Sequence, residues 1–222
     1  MRIATVSSAA IALSMLAAPA AHAVTFTADP GTSVRSYGTF NWQGSVSGGT
    51  LLNASTPTAA KPFNTAVGED FYVAGGPNGA AAFYDLTDIG SSIKSFTFVW
   101  GSIDNSPPST FTNTLQILDG ANNVLQTITG GDIASYLSTQ GNGAQTDPNT
   151  NPTVTLLFNG LERTDAKTLK FFSNPSSGIA FEFTPLSAAV PEPATWALMI
   201  MGIGFAGAAM RRRRQTVSLK YA

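Results

Sequence analysis

Three residues in the stretch FVWGSIDN have side chains that could do chemistry: Trp100, Asp104 and Asn105. An exposed indole beside an acid and an amide would make a sugar-stacking platform with polar partners. Asp104 and Asn105 also offer oxygens to Ca²⁺, which takes several at roughly 2.3–2.6 Å, although no dense Asp-x-Asp-x-Asp loop surrounds them. Glu182, in FEF, would complete a two-carboxylate glycoside hydrolase set if it met Asp104. Asp85 and Asp88, in DLTD, are a further acidic pair. Each has a plainer reading. Trp100 continues the apolar face of Phe96 and Phe98 and reads as core. The acids read as solvated or turn-capping groups. Glu182, between Phe181 and Phe183, points away from the core face. The calcium and hydrolase readings are therefore secondary, and no metal or other cofactor is expected.

The elements that must position these residues are short strands. Phe96, Phe98 and Trp100 alternate with Ser95, Thr97 and Val99; Leu115 and Ile117 flank Gln116; Val154, Leu156 and Phe158 alternate; Phe181 and Phe183 flank Glu182. Period two over four to eight residues marks a half-buried strand. Residues 25–28, 35–42, 71–74, 81–86, 124–129 and 169–173 read likewise. Turn residues separate them: Ser47-Gly48-Gly49, the GGPNG at 75–79, Asp119-Gly120 and Gly130-Gly131. Residues 119–123, DGANN, predict a hairpin. One short helix is expected, with Asp132 capping residues 133–137. The polar stretch 138–152 predicts an exposed loop, and residues 187–190 the start of a linker. Nine to ten such strands predict an all-β fold, an antiparallel, jelly-roll-like β-sandwich, with a barrel as the lesser alternative.

Both ends of the chain differ from its middle. Met1-Arg2, the mostly apolar residues 3–18, Pro19 and then Ala21-His22-Ala23 have the order of a secretory signal peptide, with the signal peptidase cut expected after Ala23. Near the other end, Pro191-Glu192-Pro193 precedes Trp196, an uncharged run to Met210, and then Arg211, Arg212, Arg213 and Arg214. Fifteen helical residues reach about 22 Å, short of the roughly 30 Å hydrocarbon core, so a transmembrane helix here needs flanking residues or a thinned bilayer. The arginines would stay cytoplasmic, with residues 215–222 as a cytoplasmic tail. The division is signal peptide 1–23, ectodomain 24–189, tail signal 190–214.

Residues 24–189 hold six basic and twelve acidic side chains, a net charge of −6. That excludes nucleic acid as an expected partner. The chain has no cysteine, and its single histidine, His22, leaves with the signal peptide. The usual zinc ligand sets and the Ser-His-Asp and Cys-His nucleophiles are excluded with it.

The tail is similar to the PEP-CTERM sorting signal, in the variant with Trp-Ala after the box: Pro191-Glu192-Pro193, Trp196-Ala197, an apolar span, then Arg211 to Arg214. The resemblance implies a substrate of exosortase, a membrane-embedded cysteine protease, and cleavage near the box with release to the surface or exopolysaccharide matrix of a Gram-negative bacterium. Glu192 and the prolines would be recognised and not catalytic. The middle of the chain resembles one broad group of exosortase-dependent surface proteins. The shared stretches are Ser47-Gly48-Gly49-Thr50-Leu51-Leu52-Asn53, WGS-x-D at 100–104, Asn113-Thr114-Leu115, Thr129-Gly130-Gly131-Asp132-Ile133 and residues 178–183. It departs from that group at Thr184-Pro185 and at the SPPSTFT following Asn105. The expected role is non-enzymatic: structural or glycan-binding in the envelope or biofilm, with exopolysaccharide or neighbouring surface proteins as partners. The alternatives are a carboxylate-dependent carbohydrate hydrolase and a self-assembling coat.

Overall fold

The computed structural model describes residues 24–33, 46–66, 69–75, 80–89, 92–104, 112–139, 141, 143–160, 162–174, 179–189 and 193–213. The signal segment with Ala21 and Ala23, the expected strand 35–42, Asn105, Pro191, Glu192, Arg214 and residues 215–222 lie outside that set.

Eleven strands form two antiparallel sheets among the described residues. In chain order they are β1 (Thr25–Asp29), β2 (Val46–Gly48), β3 (Thr50–Leu52), β4 (Phe71–Gly75), β5 (Ala82–Asp85), β6 (Ser95–Trp100), β7 (Thr112–Leu118), β8 (Val124–Thr129), β9 (Thr153–Leu157), β10 (Thr168–Asn174) and β11 (Ala180–Ala189). One sheet runs β1-β9-β6-β11-β4-β3 and the other β2-β5-β10-β7-β8. Neither closes into a barrel, so the sandwich is the fold. Asp119 to Asn123 turn the chain from β7 into β8 as expected.

The inner faces meet in an aromatic belt. Phe96, Phe98 and Trp100 of β6, with Phe181 and Phe183 of β11, face Phe171 and Leu169 of β10, Leu115 and Ile117 of β7 and Tyr84 of β5, all fully buried. The Phe171 and Phe183 rings stack across the gap at 3.8 Å, 5° from parallel, and Phe98 meets Phe171 edge-on at 5.4 Å. Burying one such side chain is worth about 1.5–3 kcal/mol. Without disulfides, this belt is the principal bond between the sheets. Trp100 belongs to it, as its alternation with Phe96 and Phe98 implies.

Several expectations are corrected. The sequence around Ser47-Gly48-Gly49 is more than a turn: β2 and β3 lie in different sheets, and Gly49 is the corner between them. The first helix, α1 (Gly130–Tyr136), starts three residues before the expected place. Thr129 is its N-cap and Asp132 the third helical residue, the two closing a capping box with Thr129 N donating to Asp132 Oδ2 at 2.8 Å. A second short helix, α2 (Glu162–Asp165), carries no sequence signal of its own. Residues 187–189 are not linker; they are the end of β11, paired with residues 95–97 of β6. The 138–152 stretch is not a wholly exposed loop, since Thr150 and Asn151 are buried.

The pairing also fixes where the ends lie. Thr25 pairs with Leu157, Leu157 with Ser95, and Ser95 with Ala189, so the first and last strand residues stand in one row across the six-stranded sheet. The other end of β11, at Ala180, lies beyond Trp100.

Phe171→Ala should lower the unfolding free energy by about 3–5 kcal/mol in urea titrations. Leu51→Ala, at a half-exposed site on the edge strand, should change it by roughly 0.5 kcal/mol or less.

Candidate functional site

A cavity of about 390 Å³ opens at the Ala180 end of β11. Its walls are the turn Thr56-Pro57-Thr58-Ala59, Ser102 and Asp104 after β6, Gly143 and Gln145 of the polar loop, and Ile179, Ala180 and Glu182. Asp104 and Glu182, far apart in the sequence, therefore line one cavity. Trp100 does not, being wholly inside the belt.

Glu182 follows from strand alternation. Phe181 and Phe183 take the core face, which turns Glu182 outward. Its environment is still not solvent, because the segment before β4 folds over that face; Glu182 is 3% exposed. Its Oε1 accepts from the Ala60 backbone N–H at 3.0 Å, and Ser102 Oγ donates to Oε2 at 3.4 Å. Burial pushes this carboxyl up to about 8, the Asp104 charge pushes the same way, and the hydrogen bonds oppose both. At neutral pH Glu182 holds its proton and can donate.

Asp104 follows the sharp exit from β6. Gly101 packs so closely on β11 that a Cβ there would lie 2.8 Å from the Glu182 carbonyl oxygen and 2.9 Å from its Cβ. The chain then turns through Ser102, at φ 36°. Asn151 holds this turn: its Oδ1 accepts from Ser102 N at 3.0 Å and Phe63 N at 3.2 Å, while Nδ2 donates to the carbonyls of Ala144 and Asp147, each at 3.0 Å. Ile103 N donates to Thr150 O, and Gly143 N to Ile103 O. Asn113, fully buried, accepts from Asp104 N at 2.8 Å and donates to Ala180 O at 3.3 Å. Burial raises the Asp104 carboxyl to about 6, with the Asn113 side chain opposing. Asp104 Oδ2 is buried and has no hydrogen-bond partner among the described residues. Gly143, at φ 67°, is pressed against the same side chain: a Cβ there would fall 2.3 Å from Asp104 Oδ1.

Asp104 is thus half-buried instead of solvated, and Glu182, on the outer face as its alternation implies, is covered there. Neither burial was legible locally, because the covering turn and the 143–151 loop come from distant sequence. Asn113, Asn151, Ser102, Gly143 and Gln145 were missed as site residues for the same reason; a polar residue in a polar stretch carries no signal of burial. Among the described residues no group of three or more His, Cys, Asp or Glu side chains is arranged to hold a metal ion. Asp85 is spent locally, its Oδ1 accepting from Thr87 N at 2.8 Å and Thr87 Oγ1 at 2.6 Å.

At the opposite end, β11 runs almost directly into a third helix, α3 (Pro193–Arg213), leaving residues 190–192 between them. Ile200, Met201, Ile203, Phe205 and Met210 of α3 are exposed and point in all directions around its axis. Trp196, Arg211, Arg212 and Arg213 lie within the helix. Residues 189–214 match the PEP-CTERM protein-sorting motif. The PEP-CTERM tail supports an exported surface protein sorted by exosortase. The expected membrane span is not seen, however: among the described residues no helix is long and apolar enough to cross a membrane. The helix continues into the arginines.

No curated protein matches the chain. Among solved structures, the enzymatically active domain of tailspike protein 4 from bacteriophage CBA120 is similar at a TM-score of 0.31 and 14% identity. The match covers 74% of this chain and 18% of that one, a likeness too slight to carry an activity across.

The raised carboxyls predict a pH dependence. The native state holds the Glu182 proton up to about pH 8, against 4.5 for an ordinary glutamate. Stability should therefore fall as pH rises from 4.5 through 8 and level off above, with Asp104 adding a slope between 3.8 and about 6. Glu182→Gln should flatten the upper part and gain roughly 1–3 kcal/mol at pH 8, read from urea midpoints between pH 4 and 9. Gly143→Ala should cost at least about 1 kcal/mol through its positive φ and the Asp104 contact.

Proposed function

We propose that this chain is an exosortase-processed surface or matrix protein whose sandwich is a non-catalytic glycan-binding module. The observation that carries the binding reading is the polar cavity at the end of the sandwich opposite the sorting motif. Hydroxyls of Thr56, Thr58 and Ser102, the Gln145 amide and two carboxyls surround a space near the small end of ligand pockets, which run roughly 300–1,000 Å³. The tail keeps the precursor at the membrane until the protease cuts, and the domain then works in the envelope or exopolysaccharide layer. Calcium is not required for this reading.

A second reading, a carboxylate-dependent glycoside hydrolase, is favoured by one observation. Asp104 and Glu182 line the same cavity with carboxyls near 6 and 8, so at pH 7 one is mainly ionised and the other protonated. Its weakness is access, since Glu182 is nearly closed off. Release of nitrophenol from aryl glycosides, lost in both Asp104→Asn and Glu182→Gln, would establish hydrolysis and remove the binding-only reading.

Two outcomes are expected in the native host. Intact mass should find a surface or medium species beginning at Val24 and ending near Pro191 to Pro193, and Glu192→Ala should leave the precursor in the membrane fraction. The purified domain should be pulled down by host exopolysaccharide; failure to bind it would sink the glycan reading.

A further inference from the structure

If the domain binds glycans, as proposed above, the lining of its cavity narrows which ones. Among the described residues no lysine or arginine lines the cavity, and its only charged side chains are two carboxyls. An acidic sugar would bring negative charge to Asp104 without meeting a counter-charge. No aromatic ring of those residues lines it either. A polysaccharide chain running across an open face relies on such rings for stacking; the aromatics of β6 and β11 are instead turned into the core. What the walls offer is a set of uncharged hydrogen-bonding groups, Ser102, Gln145 and Thr58, beside the two carboxyls.

We infer that the cavity binds a short stretch of non-acidic sugar, one or two rings held by hydroxyl hydrogen bonds to Ser102, Asp104 and Gln145, and that it rejects uronic acids. Donors and acceptors are both needed for a sugar hydroxyl, and the Gln145 amide supplies both.

The test is titration of the full domain, residues 24–189 within the processed protein, with maltose, cellobiose, lactose and glucuronic acid, monitored by calorimetry or ligand-observed NMR. At least one neutral disaccharide should saturate with a millimolar Kd, and glucuronic acid should bind about tenfold more weakly or not at all. Gln145→Ala should weaken the disaccharide by about fivefold or more with an unchanged melting temperature. Equal or tighter binding of glucuronic acid would overturn the inference, as would a disaccharide site indifferent to Gln145→Ala. If host exopolysaccharide is pulled down while no saccharide enters this cavity, the inference falls and the binding reading stands. If neither binds, both fall.

Discussion

The contact between β10 and β11 underlies everything else in this domain. Phe171 and Phe183 stack face to face at 3.8 Å, and around them sit Phe98, Trp100 and Phe181. With no cysteine to cross-link the sheets, their separation and alignment follow from how these rings pack. β11 is hydrogen-bonded to β6 on one side and β4 on the other, so anchoring its inner face anchors the middle of the six-stranded sheet. Its outer face is fixed by the same act, because alternate residues of a strand cannot choose their sides independently. Glu182 is where it is because Phe181 and Phe183 are where they are.

That coupling explains a feature costly to folding. A carboxyl only 3% exposed would ordinarily be replaced by an apolar group. Here it is held by the Ala60 amide and the Ser102 hydroxyl, and it stays mostly protonated at neutral pH. Asp104 stands nearby with an oxygen that the described residues leave without a partner. Such a cost is of the kind a protein bears at a site, although Trp100 Nε1 and Ser173 Oγ, in the core, are also left without a partner by the described residues.

The strands were legible because alternation is a local property. FTFVW and FEF announce their inner faces without help from the rest of the chain, and DGANN announces its turn. Trp100 reads as core on that ground. The cavity was legible only as two separate acids. What joins them is a covering turn near residue 58 and a loop whose Asn151 reaches back to the Ser102 amide, a contact made across 49 positions. Composition made that loop look solvated; the buried amide of Asn151 makes it structural. The capping box shows a smaller version of the same limit. Thr129 and Asp132 are both capping residues by type, and only the backbone decides which of them stands at the boundary. The tail is the reverse case, since its box, apolar run and arginines are contiguous and read directly, although among the described residues no helix is long and apolar enough to cross a membrane.

The row joining Thr25, Leu157, Ser95 and Ala189 has a mechanical consequence. Processing at both ends, as proposed, would leave two stubs at one pole of the sandwich, three strand spacings apart, with almost no slack between the last strand and the cut. Anything fastened to the new C-terminus pulls along β11. Antiparallel hydrogen bonds lie across the strand direction, so such a pull shears the bonds to β6 and β4 together instead of unzipping them singly. A domain held this way would be tugged at one pole by whatever it is fastened to while its cavity, at the other, keeps its shape.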